Sequence, residues 1–287
     1  MGEFGLDTTV RDFAIDLARR AGDILIAYRE RGLEQDAIRQ KLGHFDIVTE
    51  ADLASEQFVL SELAAAFPNY GVMSEETNQR LSDKEWVWIV DPLDGTTNFA
   101  HGLPIYAVNI GLAHRGRPVL GVTYEPTYQQ TYWAMRGAGA WLRRGNAESR
   151  LHVSQTGNLQ HALLATGFQY SRRDPEYTRH AEFAHLDTIT QSVRRLGSAA
   201  LTMAWIAAGH LEAYWETGLK AWDFAPGWLL IEEAGGQSIE FDGSPISLES
   251  QTLIAGNGQP AVVEAIQQTV GKMRFESMLA GAPEARH

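Results

Sequence analysis

Hydrophobic residues recur every three or four positions near the start of the chain, which is the spacing of an amphipathic helix. The recurring positions are Phe13, Leu17, Ala21, Ile24 and Tyr28. They predict a helix over about residues 9–30, with Thr9 and Asp12 as a capping box at its start. A second helix is predicted from about residue 47 to residue 67.

Runs of apolar and β-branched residues predict strands in the middle of the chain. These strands cover residues 86–90, 107–113, 119–125 and 130–135. Short polar links join the last three, so we expect them to pair antiparallel as a meander. The glycine-rich stretch 136–141 lacks the spacing and the strand-to-helix context of a nucleotide-binding loop, so it predicts a hairpin.

Strands and helices alternate after a polar stretch at 143–150. Strands are predicted at 162–166, 193–196, 211–216 and 251–255, and helices at 175–191, at 198–208, from Asp223 and after Gly258, before a weakly patterned tail from about Gly271. We find no internal repeat and no clear flexible linker. We therefore expect an α/β protein in which an N-terminal lobe, 1–150, and a C-terminal lobe, 151–287, form one continuous structural unit.

Composition and charge narrow the class of protein. The 287 residues are 44% hydrophobic, which is enough for a large buried core. The absence of cysteine excludes disulfides, iron–sulfur clusters and thiolate zinc sites. A formal charge of −12 disfavours binding to nucleic acid or anionic membranes, and no apolar run approaches the roughly 18 residues of a membrane span. We expect a soluble, cytoplasmic protein.

Two carboxylates follow the predicted strand at 86–90. Asp91 and Asp94 are three residues apart across a turn fixed by Pro92, so both can face the same side. The Leu93 carbonyl then becomes available as another oxygen ligand. Hard divalent cations such as Mg²⁺ prefer oxygen ligands of this kind. A tight turn without a ligand is the alternative explanation of the same residues.

Acidic residues also stand at the ends of two other predicted elements. Glu75 follows a short apolar stretch at 71–74, and Asp223 lies where a helix is predicted to begin. For Asp223, a helix N-cap is an alternative role that can coexist with metal binding.

The order and spacing of five motifs resemble those of the inositol monophosphatase family of magnesium-dependent, lithium-sensitive phosphatases. The motifs are residues 48–52, 74–77, 91–99, 197–199 and 222–223. The resemblance spans about residues 10–270. It implies a layered αβαβα sandwich with largely antiparallel or mixed sheets, commonly assembled as a homodimer. It also implies hydrolysis of a small phosphorylated substrate with two or three Mg²⁺ ions per active site.

The resemblance assigns roles to individual residues. The implied metal ligands are Glu75, Asp91, Leu93 through its carbonyl, Asp94 and Asp223, with Asp91 shared by two ions. The implied catalytic residues are Asp52, Thr96 and Glu75, of which Asp52 and Thr96 orient and deprotonate the attacking water. The implied substrate contacts are Asp94, Gly95, Thr96, Gly197, Ser198, Ala199, Glu216 and Asp223, with Lys41 on a loop over the site.

For three of these residues the sequence alone leaves a simpler role open. Lys41 can be a solvated loop lysine, Asp52 can be a helix-start residue, and Glu216 can be a surface acid at the end of a strand. One position departs from the family pattern, since Pro226 replaces an alanine in the motif that follows Asp223. If Asp223 is the N-cap, the missing N–H of Pro226 has no acceptor within the helix, so we expect the proline to be tolerated.

The position of Glu216 makes inositol monophosphate the first candidate substrate, because the matching family residue contacts a polyol hydroxyl. Histidinol phosphate, fructose 1,6-bisphosphate and 3′-phosphorylated nucleotides are alternatives within the same superfamily. A regulatory protein that binds another macromolecule is an alternative of a different class.

Overall fold

The computed structural model describes residues 7–31, 38–40, 47–77, 81–168 and 180–280. The helices in this part of the chain are α1 (Thr8–Arg31), α2 (Glu50–Ala66), α3 (Thr96–Ala100), α4 (His180–Ile189), α5 (Ala199–Ala207), α6 (Ala221–Glu233) and α7 (Pro260–Ala280). Within the described residues, every helix is too short or too polar to span a membrane.

The strands form two main sheets and one small ribbon. The strands are β1 (Ile38–Gln40), β2 (Ile47–Thr49), β3 (Gly71–Ser74), β4 (Trp86–Asp94), β5 (Ala107–His114), β6 (Arg117–Glu125), β7 (Gln130–Met135), β8 (Gly139–Arg144), β9 (Ala147–Arg150), β10 (Leu163–Thr166), β11 (Ser192–Arg194), β12 (Ala213–Thr217), β13 (Gln237–Ile239) and β14 (Thr252–Gly256).

The larger sheet has the strand order β3-β4-β5-β6-β7-β8-β9. Only β3 and β4 pair parallel in it, and the later strands continue as an antiparallel meander. The second sheet has the order β11-β10-β12-β14-β13, with parallel pairs on both sides of β10 and antiparallel pairs on both sides of β14.

The helices separate and cover the two sheets. Helices α1 and α2 pack on one face of the larger sheet, α5 and α6 lie between the sheets, and α4 and α7 cover the second sheet. Trp88 is fully buried in the core under α1 and α2, and Trp215 is fully buried in the core under α7. These layers confirm the predicted αβαβα sandwich with mixed sheets.

The polar stretch at 143–150 contains the strand β9, which was not predicted from the sequence. β9 pairs with β8 to form a hairpin. Every residue of β9 is exposed, so this edge strand lacks the apolar alternation that identifies a strand in sequence. Its pairing with β8 is what defines it.

The prediction of α1 at about residues 9–30 is confirmed, but its capping box is wrong, because the Asp7 carboxylate accepts the Thr9 N–H at 3.3 Å. Three predicted helix limits are wrong. Helix α2 begins at Glu50 instead of about residue 47, because residues 47–49 form β2. Helix α6 begins at Ala221 instead of Asp223. Helix α7 continues through the weakly patterned tail to Ala280. The start of the helix predicted at 175–191 lies outside the described residues. Its described part is α4, His180–Ile189.

Candidate active site

The two aspartates of the central motif are carried by one irregular strand. β4 continues through Asp91 to Asp94, beyond the predicted end at residue 90. Asp91 pairs with Asn109 and Asp94 with Ala107, so β4 contains one more residue than its partner over this interval. Such a bulge changes the alternation of side chains along a strand. The tight turn considered in the sequence is therefore a bulge, and both carboxyl groups are buried.

A glycine joins β4 to α3. Gly95 has φ of 90°, which is the left-handed region. A side chain there would also meet the Ile105 carbonyl oxygen at 2.9 Å and the Gly197 carbonyl oxygen at 3.3 Å. Gly95 thus allows the central motif to approach the predicted substrate loop at Gly197 closely.

Asp94 contacts the start of α5. Its carboxylate accepts the Ser198 hydroxyl, the Ala199 N–H at 3.3 Å and the Ala200 N–H at 3.0 Å. Ser198 is the N-cap of this helix. The structure therefore brings the 197–199 motif to Asp94, and contact of Ser198 and Ala199 with a substrate stays a prediction.

Asp223 is the third residue of α6, so its assignment as the N-cap is wrong. The N-cap is Lys220, whose N–H is accepted by the Asp223 carboxylate at 2.6 Å. Because the helix begins two residues before Asp223, Pro226 lies inside it. The missing N–H of Pro226 would therefore have had an acceptor, and the reason first given for its tolerance is wrong.

Asp52 and Thr96 meet between α2 and α3. The Thr96 hydroxyl oxygen lies 3.1 Å from Asp52 Oδ1 and 3.1 Å from the Leu93 carbonyl oxygen. Thr49 binds the other oxygen of Asp52, with its N–H at 2.8 Å and its hydroxyl at 2.5 Å. Asp52 thus belongs to the capping box of α2 and, through Oδ1, also to the site.

Two further residues on the same face of α2 support the site and were not identified from the sequence. The Ser55 hydroxyl donates to the Pro92 carbonyl of the bulge at 3.0 Å. The buried Glu56 carboxylate accepts the Ser74 hydroxyl, the Glu76 N–H at 3.0 Å and the Thr77 N–H at 3.2 Å. Positions three and four after Asp52 share its helix face, and this spacing is the sequence signal that could have found them.

Burial and neighbouring acids raise the pKa of three aspartates in the site. Burial, then repulsion from Glu75, Asp94 and Asp223, holds the pKa of Asp91 well above its ordinary value. Burial and the charge of Glu75 do the same to the pKa of Asp223. Burial raises the pKa of Asp94 to about 6, although hydrogen bonds from Ser198 and Ala200 oppose the rise. Such mutual repulsion is the electrostatic setting that a bound cation relieves.

Asp52 shares this environment. Burial raises its pKa to about 6, opposed by the hydrogen bonds from Thr49. Glu75 contributes a smaller increase through its charge. A carboxylate with a pKa near neutrality is suited to accept a proton during catalysis.

Glu216 lies near the same acids from the second sheet. It accepts a hydrogen bond from the Tyr214 hydroxyl, and a methyl group on Gly167 would collide with its carboxylate. Burial, followed by the charge of Asp94, raises the pKa of Glu216 to about 8, while Arg195 lowers it. The Glu216 side chain is half-buried and accepts the Tyr214 hydroxyl, so the surface-acid alternative does not describe it.

The donor set fits a hard divalent cation, because it consists of the buried carboxylates of Asp91 and Asp94, the half-buried carboxylates of Glu75 and Asp223, and a backbone carbonyl. Within the described part of the chain, no three acidic or histidine side chains are arranged closely enough to hold one metal ion. Instead the carboxylates bind local donors, as Asp91 does with the Leu93 N–H at 3.0 Å. The predicted loop residue Lys41 lies outside the described residues.

Comparison with known proteins identifies the family. A model of the inositol monophosphatase family matches residues 6–273. The chain is 38% identical over 257 residues to an inositol-1-monophosphatase of Mesorhizobium japonicum, which covers 88% of this chain and 94% of the relative. It is 39% identical over 253 residues to the Nus factor SuhB of Pseudomonas aeruginosa, which covers 86% and 90% respectively.

A solved structure agrees with these sequence relatives. The inositol monophosphatase from Anabaena (Nostoc) superposes with a TM-score of 0.80 at 36% identity, covering 92% of this chain and 96% of that chain. The layered fold and the sequence relatives define a phosphatase. The chain belongs to the inositol monophosphatase family.

Proposed function

We propose that this phosphatase hydrolyses a phosphate monoester with Mg²⁺, and that inositol monophosphate is its substrate. The observation that carries the proposal is geometric: the bulge of β4 holds the buried carboxylates of Asp91 and Asp94 beside the hydrogen-bonded pair Asp52 and Thr96. A relative that is 38% identical to this chain is an inositol-1-monophosphatase, which supports this choice of substrate.

The side chains that would hold the metal come from three elements of the fold. The proposed ligands are Glu75, Asp91, the Leu93 carbonyl, Asp94 and Asp223. When bound, Mg²⁺ supplies charge neutralisation for the phosphate and lowers the pKa of a water molecule. Two or three ions per site, and inhibition by lithium, are part of the proposal.

The chain's own residues would then position and deprotonate the attacking water. Thr96 can hold that water with its hydroxyl, because the same hydroxyl lies within hydrogen-bonding distance of Asp52. Asp52 would accept the proton at Oδ1, since Oδ2 is already occupied by Thr49. Burial keeps this carboxylate away from bulk water, which supports its role as a general base.

Substrate recognition is assigned to the interface of the central motif and the second sheet. Glu216 would accept a hydroxyl of the polyol. Gly95, Thr96 and the 197–199 motif would contact the phosphate end of the substrate, whereas the carboxylates of Asp94 and Asp223 would accept hydrogen bonds from its hydroxyl groups. The close approach of Gly95 to Gly197 supports this arrangement.

A phosphate-release panel tests the proposal directly. The protein is assayed with Mg²⁺ on inositol monophosphate, histidinol phosphate, fructose 1,6-bisphosphate and a 3′-phosphorylated adenosine nucleotide, and again after chelation of the metal. We expect the highest kcat/KM for inositol monophosphate and loss of turnover on chelation. A higher kcat/KM for another ester would replace the substrate, and turnover that survives chelation would overturn the metal dependence.

A second candidate function is supported by a different relative. The Nus factor SuhB of Pseudomonas aeruginosa is 39% identical to this chain, so a regulatory role through a macromolecular partner is the alternative. Absence of phosphate release across the whole panel would favour it.

The homodimer and the cytoplasmic location stay predictions from the sequence. Light scattering during size-exclusion chromatography would measure the oligomeric state. A mass equal to one chain of 31.8 kDa would contradict the homodimer.

A further inference from the structure

One carbonyl in the first turns of α6 loses its helical partner. In a regular helix the Trp222 carbonyl accepts the N–H of the residue four positions later, which is Pro226. Proline has no N–H, so an interior proline removes this bond. A buried carbonyl without a donor is costly, and another group must supply the hydrogen bond.

Asn109 supplies that hydrogen bond from the larger sheet. Its Nδ2 donates to the Trp222 carbonyl at 2.7 Å and lies 3.5 Å from the Asp223 carbonyl. The Asn109 side chain is fully buried, with 0% exposure. The residue that replaces the missing helical donor therefore also contacts the backbone of a proposed metal ligand.

The Trp222 carbonyl, which can only accept, sets the orientation of the Asn109 amide, and a second buried residue binds the other end of that amide. The Thr123 hydroxyl, on the neighbouring strand β6, donates to Asn109 Oδ1 at 2.7 Å. The opposite orientation would direct Oδ1 at the Trp222 carbonyl, where two acceptors would face each other. The NH₂ group is thus held toward α6.

Two glycines set the depth at which α6 lies on the sheet. Gly111 and Gly121 are cross-strand partners in β5 and β6. A Cβ on Gly121 would lie 2.7 Å from the Pro226 carbonyl oxygen, and a Cβ on Gly111 would lie 3.3 Å from Pro226 Cγ. The proline therefore packs directly on the strands, close to the asparagine that compensates for its missing donor.

We propose that Asn109 is a positioning residue that replaces the N–H absent from Pro226 and thereby holds Asp223 in place for metal binding. The inference rests on the proposed function, because it assigns Asp223 to the metal site. Asn109 acts through the backbone at Trp222 and Asp223 and touches neither the metal nor the substrate.

The substitution Pro226→Ala tests whether Asn109 replaces a missing donor, because alanine restores an N–H four residues after Trp222. Four proteins are compared: the parent, Asn109→Ala, Pro226→Ala and the double variant. The single variant Asn109→Ala and the double variant both lose the partner of the Thr123 hydroxyl and leave the same space at position 109. They differ in whether α6 can bond its own Trp222 carbonyl and in the proline ring that packs on Gly111. The single variant Pro226→Ala measures the effect of losing the ring.

The first measurement is the Mg²⁺ dissociation constant by titration calorimetry, together with kcat and the Mg²⁺ concentration that gives half-maximal activity. We expect Asn109→Ala to weaken Mg²⁺ binding about tenfold or more, the usual size of an effect on groups that orient metal ligands. In the double variant, we expect the affinity to return to that of Pro226→Ala.

The second measurement needs neither metal nor activity. Amide hydrogen exchange in peptides covering 221–233 should become faster in metal-free Asn109→Ala than in the parent, whereas the double variant should exchange at the rate of Pro226→Ala. This readout separates the two claims. A parent that neither binds Mg²⁺ nor releases phosphate defeats the proposed function, while the exchange rates still decide whether Asn109 replaces the Pro226 donor.

Asn257→Ala is the matched control, because Asn257 is also buried and its Nδ2 donates to the Ser154 hydroxyl and the Thr156 carbonyl, outside the proposed site. We expect it to lower the free energy of unfolding without changing Mg²⁺ affinity. Three results would overturn the proposal: unchanged Mg²⁺ affinity in folded Asn109→Ala, a double variant as weak as Asn109→Ala, or failure of both Asn109→Ala and the double variant to fold. A double variant that folds where Asn109→Ala does not would support it.

Discussion

The Thr96 hydroxyl lies 3.1 Å from Asp52 Oδ1, although the two residues are 44 positions apart. Asp52 is fixed on its other side by Thr49. The pair therefore consists of a hydroxyl that can orient water and a buried carboxylate that can accept a proton.

Replacing Thr96 with valine should lower kcat by about 10²-fold or more, the lower range for a group that takes part in proton transfer. The Mg²⁺ concentration for half-maximal activity should change little, because Thr96 is not a proposed ligand. Steady-state phosphate release over a range of Mg²⁺ concentrations measures both. Thr188→Val is the control, since Thr188 is an exposed threonine of α4 whose hydroxyl also donates to a backbone carbonyl. Equal kcat values for Thr96→Val and the control would contradict the role.

Replacing Asp94 with asparagine should nearly abolish activity while the metal-free protein remains folded. The substitution removes one charge from the metal site and weakens the hydrogen bonds from Ser198 and Ala200. It also removes repulsion between Asp94 and Asp91, which limits the cost to stability. Phosphate release and thermal melting are measured beside Glu249→Gln, an exposed acid. Parent-like turnover at limiting Mg²⁺ would remove Asp94 from the metal site.

Replacing Glu56 with alanine should lower the free energy of unfolding by about 3 kcal/mol, because one buried hydroxyl and two backbone N–H groups lose their acceptor. Mg²⁺ affinity should fall as well, since those donors flank Glu75. Urea unfolding and calorimetry measure the two effects. Glu62→Ala on the same helix is the matched control, because Glu62 is partly exposed and pairs with Arg20 at the surface. Equal losses of unfolding free energy and of Mg²⁺ affinity in both variants would contradict a supporting role of Glu56 at the site.

Replacing Glu216 with alanine should separate substrate choice from chemistry. Loss of a charged hydrogen bond worth about 1.5–3 kcal/mol would reduce kcat/KM for inositol monophosphate roughly ten- to a hundredfold. A simple phosphate ester without the recognised hydroxyl should be cleaved nearly as well as by the parent.

Gly167→Ala offers an independent test of the same contact, because the added methyl group would displace the Glu216 carboxylate without removing it. Both substrates are measured on the parent and on both variants at saturating Mg²⁺. Equal losses on the two substrates would mean that Glu216 supports the fold or the metals instead.

The metal-free protein should become less stable as the pH rises from about 4 to about 8. Burial raises the pKa of Asp52 and Asp94 to about 6 and that of Glu216 to about 8, all above the values of about 4 in an unfolded chain. The folded chain therefore binds more protons than the unfolded chain in this window, and the free energy of unfolding falls as pH rises.

Mg²⁺ binds the deprotonated carboxylates, so its stabilising effect should grow over the same window. Thermal melting with chelator and with Mg²⁺, at about pH 5 and about pH 8, checks both trends. A metal-free melting temperature that rises with pH would contradict the assignment of these raised pKa values.

The sequence determined the family, because each motif is local, and the family resemblance in turn predicted the layered architecture and the residues of the proposed site. The run of apolar residues before Asp91 identifies a buried strand. The separation of three residues between Asp91 and Asp94 is a property of the sequence and does not depend on the tertiary structure. The alternation of strands and helices was likewise readable, since it depends on periodicity within short segments.

Tertiary structure alone decided how those residues are held. The bulge that aligns Asp91 with Asp94 is defined by pairing with β5, and the exposed strand β9 exists only through its partner. The hydrogen bond from Asn109 to Trp222 joins residues 113 positions apart. Such contacts leave no periodic signal along the chain, because they join segments that meet only after folding. Asn109, for example, lies on β5, and it replaces the N–H that Pro226 lacks only once β5 packs against α6.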